Sequence, residues 1–139
     1  MRIMAFDYGT KRVGIAVTDP LQLIATALNT VHAQDVLAYV KAYIANEAVS
    51  TFVVGEPRQL DGSESESAQH VRGFIRSLRR AFPDIPTETI DERFTSKMAS
   101  ASIAQSGLTK KKRQDKALID SVSAVLILQS YLERRDFQG

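Results

Sequence analysis

Two apolar runs joined by a short turn near the start of the chain limit the folds that the rest of the sequence can adopt. The runs cover residues 3–6 and 13–17, and Gly9 is the residue between them with the least restricted backbone. This spacing predicts a β-hairpin. Both sides of the first run are apolar, so we expect this strand to be covered on both faces and to lie in the middle of a sheet.

The later patterns predict three more strands and four helices. The run at 51–55 is wholly apolar and rich in β-branched residues, as is typical of a buried parallel strand. Asp35 can cap the helix before it, and Ser63 and Glu66 have capping-box spacing for the next helix. We expect strands at 22–32, 51–55 and 87–90, and helices at 35–46, between Ser63 and Pro83, at 95–107 and at 117–134.

This order of elements predicts an α/β fold of the ribonuclease H-like kind. Three antiparallel strands are followed by parallel strands that alternate with helices, which gives a mixed five-stranded sheet with helices on both faces. A chain of 139 residues with 44% hydrophobic residues suits one domain, covering residues 1–139.

Composition excludes several kinds of site. The absence of cysteine excludes disulfides and thiolate metal sites, and with only two histidines oxygen ligands are favoured. The chain shows no leader segment, and no run approaches the roughly 20 apolar residues of a membrane helix, so we expect a cytoplasmic protein without membrane association. The net charge of +2 weakly favours an anionic partner.

Two acidic residues stand at positions where a carboxylate is unusual. Asp7 ends the first strand, where its desolvation is unfavourable unless a cation meets it. Asp120 shares the apolar stripe of the last helix and lies within its first turns, where the helix dipole favours an anion. Each has a plainer interpretation, since Asp7 can simply open a turn and Asp120 can be a cap or a surface charge.

Further acidic residues follow two other strands. Asp91 and Glu92 end the fifth strand, and because strand side chains alternate, only one of them can face the same side as Asp7. The longer side chain favours Glu92, with Asp91 as the second candidate. Glu56 follows the fourth strand and is either a further ligand or a loop charge.

Carboxylates on separate elements, without Cys or His, match the oxygen coordination of hard cations. Two Mg²⁺ ions about 3.5 to 4 Å apart in such a site activate a water and stabilise the leaving oxygen of a phosphodiester. We therefore expect three or four of these carboxylates to hold two Mg²⁺ or Mn²⁺ ions, with Glu92 favoured over Asp91 and with the role of Glu56 open.

Basic residues near these acids suit a nucleic-acid substrate. Gly9, Thr10 and Lys11 offer backbone amides, a hydroxyl and an ammonium group to a phosphate. An arginine stripe on the helix that follows Ser63 either contacts phosphates or is a solvated helix face. The other candidate phosphate contacts are Arg93, Lys110, Lys111, Lys112 and Arg113, and the stripe consists of Arg72, Arg76, Arg79 and Arg80.

Several of these segments resemble the YqgF family, also called RuvX. They are residues 6–14, 53–55 with Pro57 and 61–62, 91–96, and 120–124, and they cover nearly the whole chain in the right order. The resemblance implies a ribonuclease H-like nuclease of pre-16S ribosomal RNA, earlier described as a Holliday junction resolvase. It also implies an acidic site of Asp7, Asp120 and one of Asp91 and Glu92. The family usually has an apolar residue where this chain has Glu56.

The expected function is therefore metal-dependent cleavage at the 5′ end of precursor 16S ribosomal RNA. A resolvase of branched DNA is the nearest alternative, and it would need a homodimer, whereas a monomer suffices for RNA. A non-catalytic RNA-binding module is a third possibility. The hairpin at Asp7 also resembles the phosphate loop of actin-like ATPases, but this chain is too short to enclose a nucleotide alone.

Overall fold

The computed structural model describes residues 1–56, 68–91 and 116–138, with side chains described in the last range for 121–136. The helix predicted at 95–107 and the capping pair Ser63 and Glu66 lie outside these residues. The strands are β1 Arg2–Tyr8, β2 Arg12–Thr18, β3 Ala25–His32, β4 Val49–Glu56 and β5 Thr87–Asp91. The described helices are α1 Val36–Ile44, α2 Ala68–Ala81 and α3 Lys116–Gln138.

The five strands form a mixed sheet in the order β3-β2-β1-β4-β5. β1 pairs antiparallel with β2 and parallel with β4, while β2 with β3 is antiparallel and β4 with β5 is parallel. The predicted ribonuclease H-like α/β arrangement is confirmed, and β1 lies in the middle of the sheet as its two apolar sides indicated.

Helices cover both faces of the sheet, and the side chains of β1 alternate between them. Ile3 and Ala5 pack in one cluster with Ala124 of α3. On the other face Phe6 packs edge-on against Phe74 of α2, with ring centroids 5.3 Å apart. Burying a side chain such as Phe6 stabilises the fold by about 1.5 to 3 kcal/mol. The small side chains on the α3 side allow that helix to pack close to the sheet.

The third strand begins later than the sequence pattern predicted. β3 starts at Ala25, because Gln22 has a left-handed backbone (φ 61°) that an extended strand does not accommodate. Asp19 fixes the preceding turn, and its carboxylate accepts hydrogen bonds from the amides of Leu23 and Ile24 at 2.8 and 2.7 Å. The turn therefore continues to Ile24.

Two smaller findings concern the helices. Asp35 stands at the N-cap position of α1 as expected, but its side chain makes no capping hydrogen bond. Within the described part of the chain, no helix combines the length and the apolar character needed to cross a bilayer.

Candidate acidic site at the carboxyl edge of the sheet

Three of the candidate acidic residues lie at or near the carboxyl ends of three parallel strands. β1, β4 and β5 run in the same direction, and their carboxyl ends meet at one edge of the sheet. In the register Phe6 aligns with Val54, and Glu56 aligns with Asp91. Asp7, Glu56 and Asp91 therefore all lie at this edge, which we call the carboxyl edge.

Asp7 lies on the face of the sheet that α3 covers. Residues two apart in a strand share a face, and Ile3 and Ala5 both pack against α3. The side chain of Asp7 is half-buried at the end of this row and takes part in polar or electrostatic interactions there. The interpretation of Asp7 as a carboxylate at the mouth of a buried strand agrees with this placement.

The first turns of α3 lie at the level of Asp7. The hydroxyl of Ser121 is 2.5 Å from the hydroxyl of Thr30 on β3. Thr30 pairs with Gly14 of β2, and Gly14 pairs with Asp7. The row of paired residues that contains Asp7 is thus linked through Thr30 to Ser121, the residue after Asp120. The backbone of Asp120 lies in α3, but its side chain is outside the described set.

Asp91 lies on the opposite face from Asp7. Glu88 of β5 accepts a hydrogen bond from Tyr131 of α3, and Ile90 packs against the α3 cluster, so Glu88 and Ile90 face α3. Asp91, one residue further, faces α2. Glu92 lies outside the described residues.

Glu56 also faces α2. It lines a cavity together with Arg72, Arg76 and Thr89. This placement separates Glu56 from the α3 face, where Asp7 lies. Glu56, which stands where the YqgF family usually has an apolar residue, therefore lies on the α2 face of the sheet.

The turn between β1 and β2 requires glycine at position 9. The amide of Gly9 donates to the carbonyl of Arg12 at 2.9 Å, and a Cβ at Gly9 would lie 2.8 Å from that carbonyl oxygen. Real Cβ atoms do not approach backbone oxygens so closely. Thr10 and Lys11 are exposed on this turn, beside Asp7 in the sequence.

The described residues account for part of the expected site only. Arg93 and the basic cluster Lys110–Arg113 lie outside them, as does the side chain of Asp120. Among the described side chains, no group of three or more His, Asp or Glu is placed to hold a metal ion. The oxygen donors at this level, Asp7 with Thr30 and Ser121, are of the type that a hard cation accepts.

Nothing in the sequence marks Thr30 as part of the site. Threonine is common in strands, and the contact with Ser121 joins residues 91 positions apart, which no local pattern reveals. The sequence pattern predicts the arginine stripe on α2 but does not show that the stripe lines a cavity.

Comparisons with known proteins agree with this architecture. A family model described as "RuvX: Holliday junction resolvase" matches residues 1–134. A relative from Porphyromonas gingivalis is 51% identical over 135 residues, which cover 97% of this chain and 98% of the relative. Another from Bacteroides thetaiotaomicron is 48% identical over 136 residues, covering 98% and 99%. Both relatives are named "Putative pre-16S rRNA nuclease".

Solved structures of RuvC from Thermus thermophilus share the fold. One covers 98% of this chain and 97% of its own, with a TM-score of 0.56 and 16% identity. A second holds RuvC in complex with a Holliday junction substrate; it has a TM-score of 0.57 and 16% identity, and covers 97% of this chain and 95% of its own. At this identity the likeness shows the common fold.

Proposed function

The chain belongs to the RuvX family of nucleases, and we propose that it hydrolyses phosphodiester bonds with divalent metal ions at the carboxyl edge of the sheet, on the α3 face. The observation that carries this proposal is the convergence of two elements distant in the chain. Asp7, the penultimate residue of β1, lies on the face covered by α3, and the Thr30–Ser121 hydrogen bond joins β3 to the start of α3 at the same level.

The metal ligands that we propose are Asp7, Asp120 and Glu92, with two Mg²⁺ or Mn²⁺ ions. Bound there, such ions supply a nucleophilic water and stabilise the charge that develops on the leaving oxygen. We prefer Glu92 to Asp91 because Glu88 and Ile90 face α3, and a strand that keeps alternating would place Glu92 on that same side. Carboxylates from three elements also repel the substrate phosphate, so metal binding is needed before the substrate can approach.

The chain's other residues would bind and orient the substrate. Thr10 and Lys11 are exposed on the turn after Asp7, where a hydroxyl and an ammonium group can hold a phosphate. The tight Gly9 turn fixes the direction in which they project. The remaining proposed phosphate contacts are Gly9, Arg93, Lys110, Lys111, Lys112 and Arg113.

The proposed substrate is the 5′ region of precursor 16S ribosomal RNA. The names of relatives that share about half of their residues with this chain support it. The second candidate is a Holliday junction, which the description of the family model favours. Junction resolution requires two symmetric cuts and therefore a homodimer, whereas the RNA cut needs a monomer only. Both substrates are nucleic acids of the cytoplasm, and neither requires a membrane.

The test is a cleavage assay on several nucleic acids in parallel. Precursor 16S RNA, four-way DNA junctions and single-stranded controls are incubated with wild-type, Asp7→Asn and Asp120→Asn proteins in Mg²⁺ or Mn²⁺. We expect the wild type to cut the precursor RNA, and each variant to lose the activity by about 100-fold or more. EDTA should abolish the cleavage.

Each other outcome points to a different function. Cleavage of junctions with precursor RNA untouched would identify the resolvase. Salt-sensitive RNA binding without cleavage in any metal would identify a non-catalytic RNA-binding module. Equal cleavage rates for wild type and Asp7→Asn would remove the basis of the proposed site.

A further inference from the structure

A cavity of about 310 Å³ lies between α2 and β5, on the face of the sheet opposite Asp7. We call it the arginine cleft. Among the described residues that line it are three guanidinium groups and one carboxylate. Its lining residues are Glu56, Arg72, Ile75, Arg76, Arg79 and Thr89.

The charges on α2 all have one sign. Its 14 residues include four arginines and no aspartate, glutamate or lysine. Arg72, Arg76 and Arg80 follow one another at a spacing of four, and like charges at this spacing destabilise a helix. A solvated helix face usually mixes the two signs, which removes this repulsion. An anion bound among the arginines would also remove it.

The arginines are arranged to meet an anion. Arg79 donates to the backbone carbonyl of Thr87 at 3.2 Å, which holds its side chain against β5. Arg76 is exposed, and neither Arg76 nor Arg79 forms an ion pair with another residue of the described ranges. A guanidinium group offers several coplanar donors that match two oxygens of one phosphate, which an ammonium group does not.

The arginine cleft is on the opposite face of the sheet but at the same edge as Asp7. Glu56 is the last residue of β4 and Thr89 lies two residues before the end of β5, and both strands run parallel to β1. Neighbouring strands are about 4.8 Å apart, so β5 lies about 10 Å from β1 within the sheet. Measured along the sheet, a nucleic-acid strand of a few nucleotides is therefore long enough to reach from Asp7 to the arginines.

We propose that the arginine cleft binds the phosphate backbone of the nucleic-acid substrate, several nucleotides from the bond that is cut. The identity of this ligand rests on the proposed nuclease function. The cleft holds the substrate and touches no reacting atom, so it contributes to affinity for long substrates and leaves the chemical step unchanged. Phosphate contacts of this kind carry no base specificity.

The first test measures binding without cleavage. Binding of fluorescein-labelled single-stranded RNA of about 20 nucleotides, longer than one typical single-strand site, is followed by anisotropy in EDTA, at salt concentrations from about 50 to 200 mM. We expect Arg76→Gln to weaken binding about fivefold and to reduce the slope of log K against log salt by about 0.7. Arg76→Lys, which keeps the charge without the paired donors, should recover part of the loss.

The matched control is Arg80→Gln. It removes the same charge from the same helix, but Arg80 does not line the arginine cleft. We expect it to change the RNA affinity by less than about twofold. If Arg76→Gln and Arg80→Gln weaken binding equally, the effect is one of overall charge and the cleft is not a binding site.

A second test separates this proposal from the nuclease function itself. In Mg²⁺ or Mn²⁺, Arg76→Gln should raise the KM for long RNA and leave kcat unchanged. A dinucleotide, whose only phosphodiester is the bond that is cut, has no second phosphate to reach the arginine cleft, so both proteins should cut it equally. Equal KM values for Arg76→Gln and wild type on long RNA would overturn the proposal that the arginine cleft binds the substrate. If the wild type cuts no substrate but the two arginine variants still differ in EDTA, the nuclease function fails and the cleft stands.

Discussion

The hydroxyl groups of Thr30 and Ser121 lie 2.5 Å apart and join β3 to the first turns of α3. Thr30 pairs through Gly14 with Asp7, so this contact lies at the level of the row of residues that contains Asp7. Asp120 immediately precedes Ser121 in the chain. The hydrogen bond therefore joins the row that contains one proposed metal ligand to the residue that follows another.

Thr30→Val should impair the site more than it impairs the fold. Valine has the same shape and suits a strand, but it cannot bond to Ser121. We expect a loss of about 1 kcal/mol in the free energy of unfolding and a drop of about tenfold or more in cleavage rate, because small displacements of catalytic groups are costly. Thermal unfolding and single-turnover cleavage measure the two effects.

Thr26→Val is the matched control, since it makes the same change four residues earlier at an exposed position of β3. It should leave both quantities close to wild type. A Thr30→Val protein that cuts at the wild-type rate would show that the start of α3 is held by other contacts.

The two neighbouring acids at the end of β5 should behave differently. Glu92→Gln removes the carboxylate that we propose on the α3 face, and cleavage should fall by about 100-fold or more. Asp91→Asn changes a residue on the α2 face and should retain at least about half of the activity, because it removes no metal ligand. Each variant serves as the other's control in a Mg²⁺ titration of cleavage rate. The reverse pattern would mean that β5 changes its alternation at Asp91.

The sequence could predict the place of Asp7 but not the choice between Asp91 and Glu92, for a physical reason. β1 is apolar on both sides, so its burial and its central position follow from its residues alone. β5 alternates Thr87 and Thr89 with Glu88 and Ile90, and neither side is uniformly apolar. Its orientation is fixed by tertiary contacts, above all the hydrogen bond from Tyr131 of α3 to Glu88.

The start of β3 shows a second limit of local patterns. Leu23 and the β-branched Ile24 have the apolar character of a strand, but Gln22 adopts a left-handed backbone in a turn held by Asp19. The turn satisfies three backbone amides with one carboxylate, and this local gain outweighs the strand preference of Ile24. In contrast, the resemblance to the RuvX family, carried by motifs along the whole chain, is confirmed.

Two glycines should respond in opposite ways to alanine. Gly9→Ala places a Cβ 2.8 Å from the carbonyl oxygen of Arg12, and relieving that overlap should cost about 1 to 3 kcal/mol. Gly73→Ala lies inside α2, where the new Cβ would be 3.9 Å from the end of the Arg76 side chain, an ordinary van der Waals contact within the described residues. It should stabilise the protein by about 0.5 to 1 kcal/mol. Urea unfolding measures both, and equal effects would contradict the close approach at the hairpin turn.

The turn at Asp19 should make stability depend on acid pH. Its carboxylate accepts hydrogen bonds from the amides of Ile24, Leu23 and Leu21. The bond from Ile24 is the main cause that lowers the pKa of Asp19 in the folded protein, against a desolvation that raises it. The unfolded chain has the ordinary value of about 3.9 and binds protons first as the pH falls. The stabilisation is thus present above about pH 4 and is lost as the pH falls through the lower, folded-state pKa.

Asp19→Asn should therefore lower the Tm at pH 7, and its difference from wild type should shrink below about pH 4. The neutral amide offers one acceptor oxygen in place of two and does not titrate. Circular dichroism melts of both proteins across this pH range measure the difference, with Asp35→Asn as the control, because the Asp35 side chain makes no capping bond to α1. A difference in Tm that is the same at every pH would show that the three amides bind the protonated and ionised carboxyl equally well.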